Sequence, residues 1–151
     1  MNTNFLLSNK FKSVGWLILV LGLVTGLFVI FAGYESSVLE VKVLSIYSKP
    51  IIGDDNGFFK IIENSILDEI AALFIIIGGV LVGFSREKTE DEYIAKLRTD
   101  SLMWALFVNY TILVLAIIFV YDFTFFDVLV FNMFTPLLFF ILRFNFLKIK
   151  A

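Results

Sequence analysis

The stretch that decides the fold is residues 14–33, VGWLILVLGLVTGLFVIFAG. Its twenty residues include no charged side chain. As an α-helix rising ~1.5 Å per residue, they span ~30 Å, which is the thickness of the hydrocarbon core of a bilayer. The apolar core of a signal peptide is only about 7–15 residues long, so the length favours a retained transmembrane helix over a cleaved signal.

The composition of the whole chain points the same way. Hydrophobic residues make up 60% of its 151 residues, and 19 residues are phenylalanine. A soluble domain of this size has too little interior to bury that much apolar surface. Further apolar runs lie at about residues 66–84, 101–121 and 126–142. We therefore predict an all-α membrane protein, with one transmembrane domain over residues 1–151 and four transmembrane helices.

The distribution of lysine and arginine orients these helices. Nine basic residues precede the first run, separate the second from the third, or follow the fourth, whereas only three lie on the opposite side. The positive-inside rule places the nine in the cytoplasm. Both termini and the segment around residues 89–100 are then cytoplasmic, and the segment 34–65 is extracytoplasmic.

The sequence of the outer segment 34–65 predicts a strand, a turn and a helix in succession. Alternation at residues 38–43 predicts a strand, whose partner is either the region around residues 49–52 or another chain. Residues 53–57 read as a turn. Residues 58–65 place apolar and polar side chains on opposite faces of a helix, which predicts a short interfacial helix.

Glycines recur along one face of the first helix and again in the second. They are Gly15, Gly22, Gly26 and Gly33, followed by Gly79 and Gly83. Small residues let two helix backbones approach closely, so we expect a seam between the first two helices. A dimer face is one alternative, and chance is another, because glycine is frequent in membrane helices.

The charged segment between the second and third runs predicts a cytoplasmic helix over residues 89–100. Thr89 and Glu92 form a capping box, which starts the helix at Glu90, and the helix is expected to run unbroken into the third span. The residues that would contact a partner protein are Glu90, Tyr93, Lys96 and Leu97. The alternative is a solvated helix that only sets the topology.

Two asparagines, Asn109 and Asn132, lie at membrane depth, where a polar side chain needs a partner. Counted from Tyr121 and Asp127, their depths differ by ~10 Å, so they are not expected to bond each other. Tyr110 and Thr135 are the nearest candidate partners.

The sequence has no histidine and no cysteine. This excludes disulfides, thiolate and histidine metal sites, cysteine nucleophiles and histidine bases. The carboxylates lie near the ends of the apolar runs rather than at the bilayer centre. We therefore predict no catalytic residue, no metal site and no cofactor, and the net charge of -2 argues against a nucleic-acid partner.

The wording of residues 84–98, FSREKTEDEYIAKLR, followed by SLMWA at 101–105 and VNY at 108–110, resembles a family of small four-span bacterial proteins. The resemblance covers roughly residues 60–146. It implies a multi-pass protein of the bacterial inner (cytoplasmic) membrane and carries no activity with it.

These observations lead to two functional hypotheses. The first is a non-enzymatic interaction or accessory protein that sits in the lipid bilayer and docks a cytoplasmic or membrane protein partner through the helix at 89–100. The alternative is a small channel or transport subunit, formed as a homo-oligomer through the glycine faces.

Overall fold

A computed structural model of the chain describes residues 5–33, 39–48 and 57–151. The described part contains five helices and one pair of strands. In chain order these are α1 (Lys10–Ala32), β1 (Glu40–Ser48), β2 (Gly57–Ser65), α2 (Leu67–Gly83), α3 (Glu92–Phe119), α4 (Asp122–Asn132) and α5 (Thr135–Lys150).

Two helices, α1 and α3, are long and apolar enough to cross a membrane. A third crossing is present if α4 and α5 act together, although they meet at a bend of 46°. The bend lies within the predicted fourth run and has a local cause, since Pro136 is in the first turn of α5 and cannot donate a helical hydrogen bond. The described part of the chain is therefore mostly helical with two or three membrane-length helices, which supports the predicted class but not the count of four.

The outer segment forms an antiparallel hairpin of β1 and β2, paired from Glu40 with Ser65 to Ser48 with Gly57. The strand expected at residues 38–43 is confirmed, although it begins at Glu40 and extends to Ser48. The interfacial helix expected at residues 58–65 is wrong, because this segment is β2.

The composition of β2 explains this difference. Aromatic and β-branched residues suit a pleated strand, and cross-strand pairs stabilise it: the rings of Tyr47 and Phe58 lie 5.1 Å apart. The partner of β1 is therefore β2 rather than residues 49–52, which lie outside the described residues. The predicted turn at residues 53–57 also lies outside them, except for Gly57.

The helices pack as a row in the order α1, α2, α5, α3, and α4 contacts α3 and α5. The apolar core lies along this row, and its largest fully buried side chains are Phe140 and Phe144 of α5. Along the helix axes, both phenylalanine rings lie near the level where α2 finishes and α3 begins. The helix ends at this level carry the charged residues.

Close contact between α1 and α2 depends on three glycines. A Cβ added to Gly15 would lie 2.9 Å from the backbone nitrogen of Val82, and one added to Gly22 would lie 2.7 Å from that of Ile75. From the other side, a Cβ on Gly78 would lie 2.7 Å from the Cα of Leu19. These distances leave no room for a side chain at the three positions.

The other predicted packing glycines have different surroundings. Gly79 and Gly83 face Leu137 and Phe140 of α5, so the second glycine pair contacts a different helix from the one expected. Within the part of the chain that the structure describes, Gly26 has only the tip of Ile75 nearby, at 3.6 Å, and Gly33 has nothing within 4 Å. The four-residue spacing of Gly79 and Gly83 predicted that these two glycines contact α1. The glycine that does so is Gly78, which that spacing does not include.

We expect Gly22→Ala to lower the free energy of unfolding by about 1–3 kcal/mol, the usual cost of overpacking a close contact. Gly26→Ala is the matched control on the same helix, and it should be neutral or slightly stabilising, because alanine favours helix and has space there. Unfolding in mixed micelles with increasing SDS measures both variants. Equal losses in the two would contradict a backbone contact at Gly22.

Candidate functional site

The charged residues gather at one end of the helices, where α1 and α3 begin and α2 and α5 finish, and we call it the basic end. It brings together four segments: the start of α1, the loop of residues 84–91, the start of α3 and the end of α5. The chain before α1 is fixed to this loop by backbone hydrogen bonds. The Leu7 N–H donates to the Phe84 carbonyl at 2.9 Å, and the Arg86 N–H donates to the Leu7 carbonyl at 2.8 Å. Asn9 adds a side-chain bond to the Arg86 carbonyl at 2.7 Å.

A largely buried ion pair joins the loop to α3. The Arg98 guanidinium donates to both carboxylate oxygens of Glu90, at 2.5 and 3.0 Å, and more weakly to the Ser85 carbonyl at 3.3 Å. The same carboxylate accepts the backbone N–H of Glu87 at 2.8 Å. Arg98 is only 6% exposed. A charged pair held in this two-pronged geometry fixes the loop in one position on α3.

A second carboxylate, Glu87, joins the loop to α1 and α5. Its Oε1 contacts the ammonium group of Lys12 and also that of Lys148, the latter at 3.0 Å. The ring of Phe144 lies among these cations: Arg98 is 5.0 Å from its centroid, Lys12 5.7 Å and Lys148 5.8 Å. Three cations around one buried aromatic ring tie α1, α3 and α5 together through cation–π contacts.

The surroundings set the ionisation of both carboxylates. Burial by itself raises the pKa of Glu87, but hydrogen bonds from Lys12 and Lys148 outweigh it, so the pKa is lowered. For Glu90, burial likewise raises the pKa, and the hydrogen bonds from Arg98 and from the Glu87 backbone reverse the direction. Both groups are therefore held as carboxylates at neutral pH.

The start of α3 differs from the predicted capping box. The N-cap is Asp91, whose side chain accepts the Ile94 N–H at 2.8 Å, and the helix begins at Glu92 rather than Glu90. The reason is that the chain stays extended through Asp91 while Glu90 turns inward to Arg98. From Glu92 the helix is continuous to Phe119, so the predicted cytoplasmic helix and third run are one element.

The four residues predicted to contact a partner divide into two groups. Tyr93 and Lys96 are exposed on α3. Glu90 is occupied by Arg98, and Leu97 packs against the apolar core, so both point inward. The interpretation of Glu90 as a contact residue is therefore corrected, since its carboxylate is used within the chain.

Sequence reasoning missed Arg98 as a site residue, together with Glu87, Lys12 and Lys148. Helical spacing pairs charges four residues apart, whereas Arg98 pairs with Glu90, eight residues earlier and beyond the helix start. The sequence does indicate that Arg98 points inward, because Arg98 shares a helix face with Ile94, Ser101 and Ala105. A charge on such an inward face requires a buried partner.

The two asparagines do meet, contrary to expectation. The Asn132 amide donates to Asn109 Oδ1 at 3.1 Å, and the Thr135 hydroxyl donates to the same oxygen at 2.5 Å. The depth estimate was wrong because α4 begins at Asp122 rather than at Asp127. Each asparagine is then ten residues from its end of the α3–α4 connection, which puts both at the same depth. Thr135 was a predicted partner, and this is confirmed.

Beside the ion pairs lies an open cleft of about 650 Å³. It lies between α1, the loop, α3 and the end of α5, most of its lining residues are polar or charged, and Trp16 also lines it. Within residues 5–33, 39–48 and 57–151, no three carboxylates come together as metal ligands. The cleft offers ammonium and hydroxyl groups, which suit an anion, beside the carboxylates of Glu87 and Asp91.

No protein-family model, curated protein or solved structure matches this chain. The resemblance to small four-span bacterial proteins therefore remains an expectation from the sequence. What is known of the site comes from its own geometry.

The pH dependence of stability tests the two carboxylates. Their folded pKa values lie below the ordinary value of 4.5, so their stabilising effect is complete above that pH and is lost as the pH falls through the folded values. Wild-type unfolding free energy, measured from about pH 6 to about pH 3, should fall in the lower part of this range. The double variant Glu87→Gln/Glu90→Gln should be less stable at the upper end and change less.

Glu92→Gln serves as the matched control, because Glu92 is exposed on the first turn of α3. It should keep the wild-type pH profile. A double variant whose stability falls as steeply with acid as the wild type would contradict the role given to Glu87 and Glu90.

Proposed function

We propose that this chain is a non-enzymatic accessory protein of the bacterial inner membrane, and that it docks a cytoplasmic protein partner on the exposed face at the start of α3. We call this face, formed by Tyr93, Lys96 and Asp100, the outer face of α3. One observation carries the proposal: the opposite side of the same two turns is pinned by the Arg98–Glu90 ion pair and by Ile94 and Leu97.

An exposed face on a helix that is already held in place favours binding for a physical reason. Association costs the entropy of every group that must be ordered, and a surface that is already rigid loses less on binding. An exposed tyrosine flanked by a lysine and an aspartate offers an amphipathic ring together with both charges. Tyrosine is one of the residues that most often dominate the energy of protein interfaces.

The proposed topology has four spans, with the basic end in the cytoplasm. Its support is that α2 runs antiparallel along α1, with Gly22 beside Ile75 and Gly15 beside Val82. If α1 crosses the bilayer, α2 lies at the same depths, although at 17 residues it is shorter. The bent pair α4–α5 supplies the fourth crossing, and the excess of lysine and arginine at the basic end orients the whole chain.

The packing of the glycines favours an accessory protein over an oligomeric channel or transport subunit. The channel hypothesis relied on glycine faces being free for a second copy. Instead, Gly15 and Gly22 are covered by α2, and Gly79 and Gly83 by α5. Among the described residues, Gly26 contacts just the tip of Ile75 and Gly33 has no neighbour within 4 Å.

Three tyrosines of similar exposure allow a matched test of the docking face. Tyr93 is 57% exposed, Tyr110 in the middle of α3 60%, and Tyr47 in the hairpin 55%. A photo-reactive phenylalanine analogue at each position, activated in living cells, should give a discrete crosslinked product only at position 93. A Lys96→Glu change in the same chain should weaken that product, because it reverses a charge on the face.

Two results would count against docking at this face. One is the absence of a crosslinked product at position 93 while the protein is present at normal levels. The other is the same product from positions 47 and 110, which would indicate random neighbours rather than a docked partner.

The topology has its own test, because the chain has no cysteine. Single variants Lys42→Cys in the hairpin and Lys96→Cys on α3 can be exposed to a membrane-impermeant maleimide in spheroplasts. Lys42→Cys should react in intact spheroplasts, whereas Lys96→Cys should react only after lysis. Labelling of both positions in intact spheroplasts would overturn the proposed orientation.

A further inference from the structure

The cleft at the basic end has the lining of an anion site. Three lysines from three different segments reach it: Lys12 from α1, Lys88 from the loop and Lys148 from α5. Neutral hydrogen-bonding side chains lie between them, namely Asn9, Ser13 and Thr89. Lysine ammonium groups and hydroxyls are common ligands of phosphate groups in proteins.

The charge of this lining is not balanced within the cluster. Lys12 and Lys148 share one carboxylate, and both contact the same oxygen of Glu87. The Lys12 side chain is 12% exposed and the Lys148 side chain 28%, so the spare positive charge is poorly solvated. Asp91, the other acidic side chain in the lining, accepts the Ile94 N–H and keeps its negative charge, so the three lysines exceed the two acidic side chains by one charge. A partly buried excess charge favours a bound counter-ion.

The position of the cleft along α1 matches a membrane surface. Trp16 lines the cleft and is the third residue of the apolar stretch 14–33, while Lys12 lies two residues before that stretch. Tryptophan is enriched at the level of lipid headgroups. Basic pockets between membrane helices are typical sites for anionic headgroups.

We propose that this cleft binds a phosphate group through Lys12, Lys88 and Lys148, and that an anionic phospholipid of the surrounding leaflet supplies it. The Glu87 carboxylate does not prevent this, because two ammonium groups already surround it. The cleft adjoins the outer face of α3, because Tyr93 lines the cleft, whereas Lys96 and Asp100 lie outside its lining. Lys96→Glu therefore tests docking without changing a residue of the cleft.

Lipid binding can be measured by native mass spectrometry of the purified protein, with phosphatidylglycerol and phosphatidylcholine of identical acyl chains titrated into detergent. The wild type should retain one phosphatidylglycerol more tightly than phosphatidylcholine. Lys88→Gln and Lys148→Gln should each weaken this binding about fivefold, since a basic residue beside an anionic headgroup contributes ~1 kcal/mol. Lys150→Gln, which is near the cleft but outside its lining, should have no effect.

Lys88→Gln keeps the test valid if Lys148→Gln loosens the fold, because Lys88 is exposed and outside the ion pairs given for Glu87. A competition arm with inorganic phosphate then distinguishes the source. If phosphate displaces the lipid and binds by itself, the cleft takes soluble phosphate compounds; if it does not, the lipid is the ligand. Equal binding of the two lipids together with no phosphate binding, or an equal loss in Lys150→Gln, would overturn the proposal.

Discussion

The ion pair between Glu90 and Arg98 is the interaction on which the basic end depends. It joins a loop that has no regular structure to the first turns of the longest helix. Burying two opposite charges costs desolvation energy, so such a pair contributes little net stability against an apolar alternative. Its effect is geometric: removing either partner leaves a buried charge without compensation, so the loop is held in the one arrangement that keeps both.

The remaining contacts of the basic end follow from that arrangement. Once Glu90 turns inward, the backbone of Glu87 is fixed by the same carboxylate, and the Glu87 side chain meets Lys12 and Lys148. Those lysines close over Phe144, a ring that is 1% exposed. The start of α3 is therefore rigid on its inner side and free on its outer side, and the lysines leave a cleft with spare positive charge. Both proposed binding surfaces come from a single set of packed charges.

Much of the helical framework was predictable from the sequence, because it depends on local properties. A run of twenty uncharged residues predicts α1, and the apolar run after a polar segment predicts a continuous α3. The glycine face also predicted close contact of α1 with its neighbour. The choice of Gly78 over Gly79 depends on how α2 rotates between α1 and α5, and this is a property of three helices together. No spacing within one helix encodes it.

The candidate site was less predictable for the same reason. Tyr93 and Lys96 lie where helical spacing places them, but the contact of Lys12 with Glu87 joins residues 75 positions apart. The meeting of Asn109 and Asn132 required knowing that α4 begins at Asp122, and one early helix start moved a side chain by more than a turn. In the hairpin, the sequence pattern predicted a helix for β2 because Phe58, Phe59 and Ile62 fit one helical face, whereas adjacent residues of a strand point to opposite faces. Cross-strand pairing with β1 decided between them.

The central claim is that the loop 84–91 is locked onto the helices rather than open to solvent. Amide hydrogen exchange in detergent tests this most directly at the N–H groups of Leu7, Arg86 and Glu87, which the structure bonds to Phe84, Leu7 and Glu90. The wild type should protect these three amides to a degree comparable with the first turns of α3. In Glu90→Gln they should lose protection together, while amides in the middle of α1 stay unchanged. Rapid exchange of all three in the wild type would contradict the account.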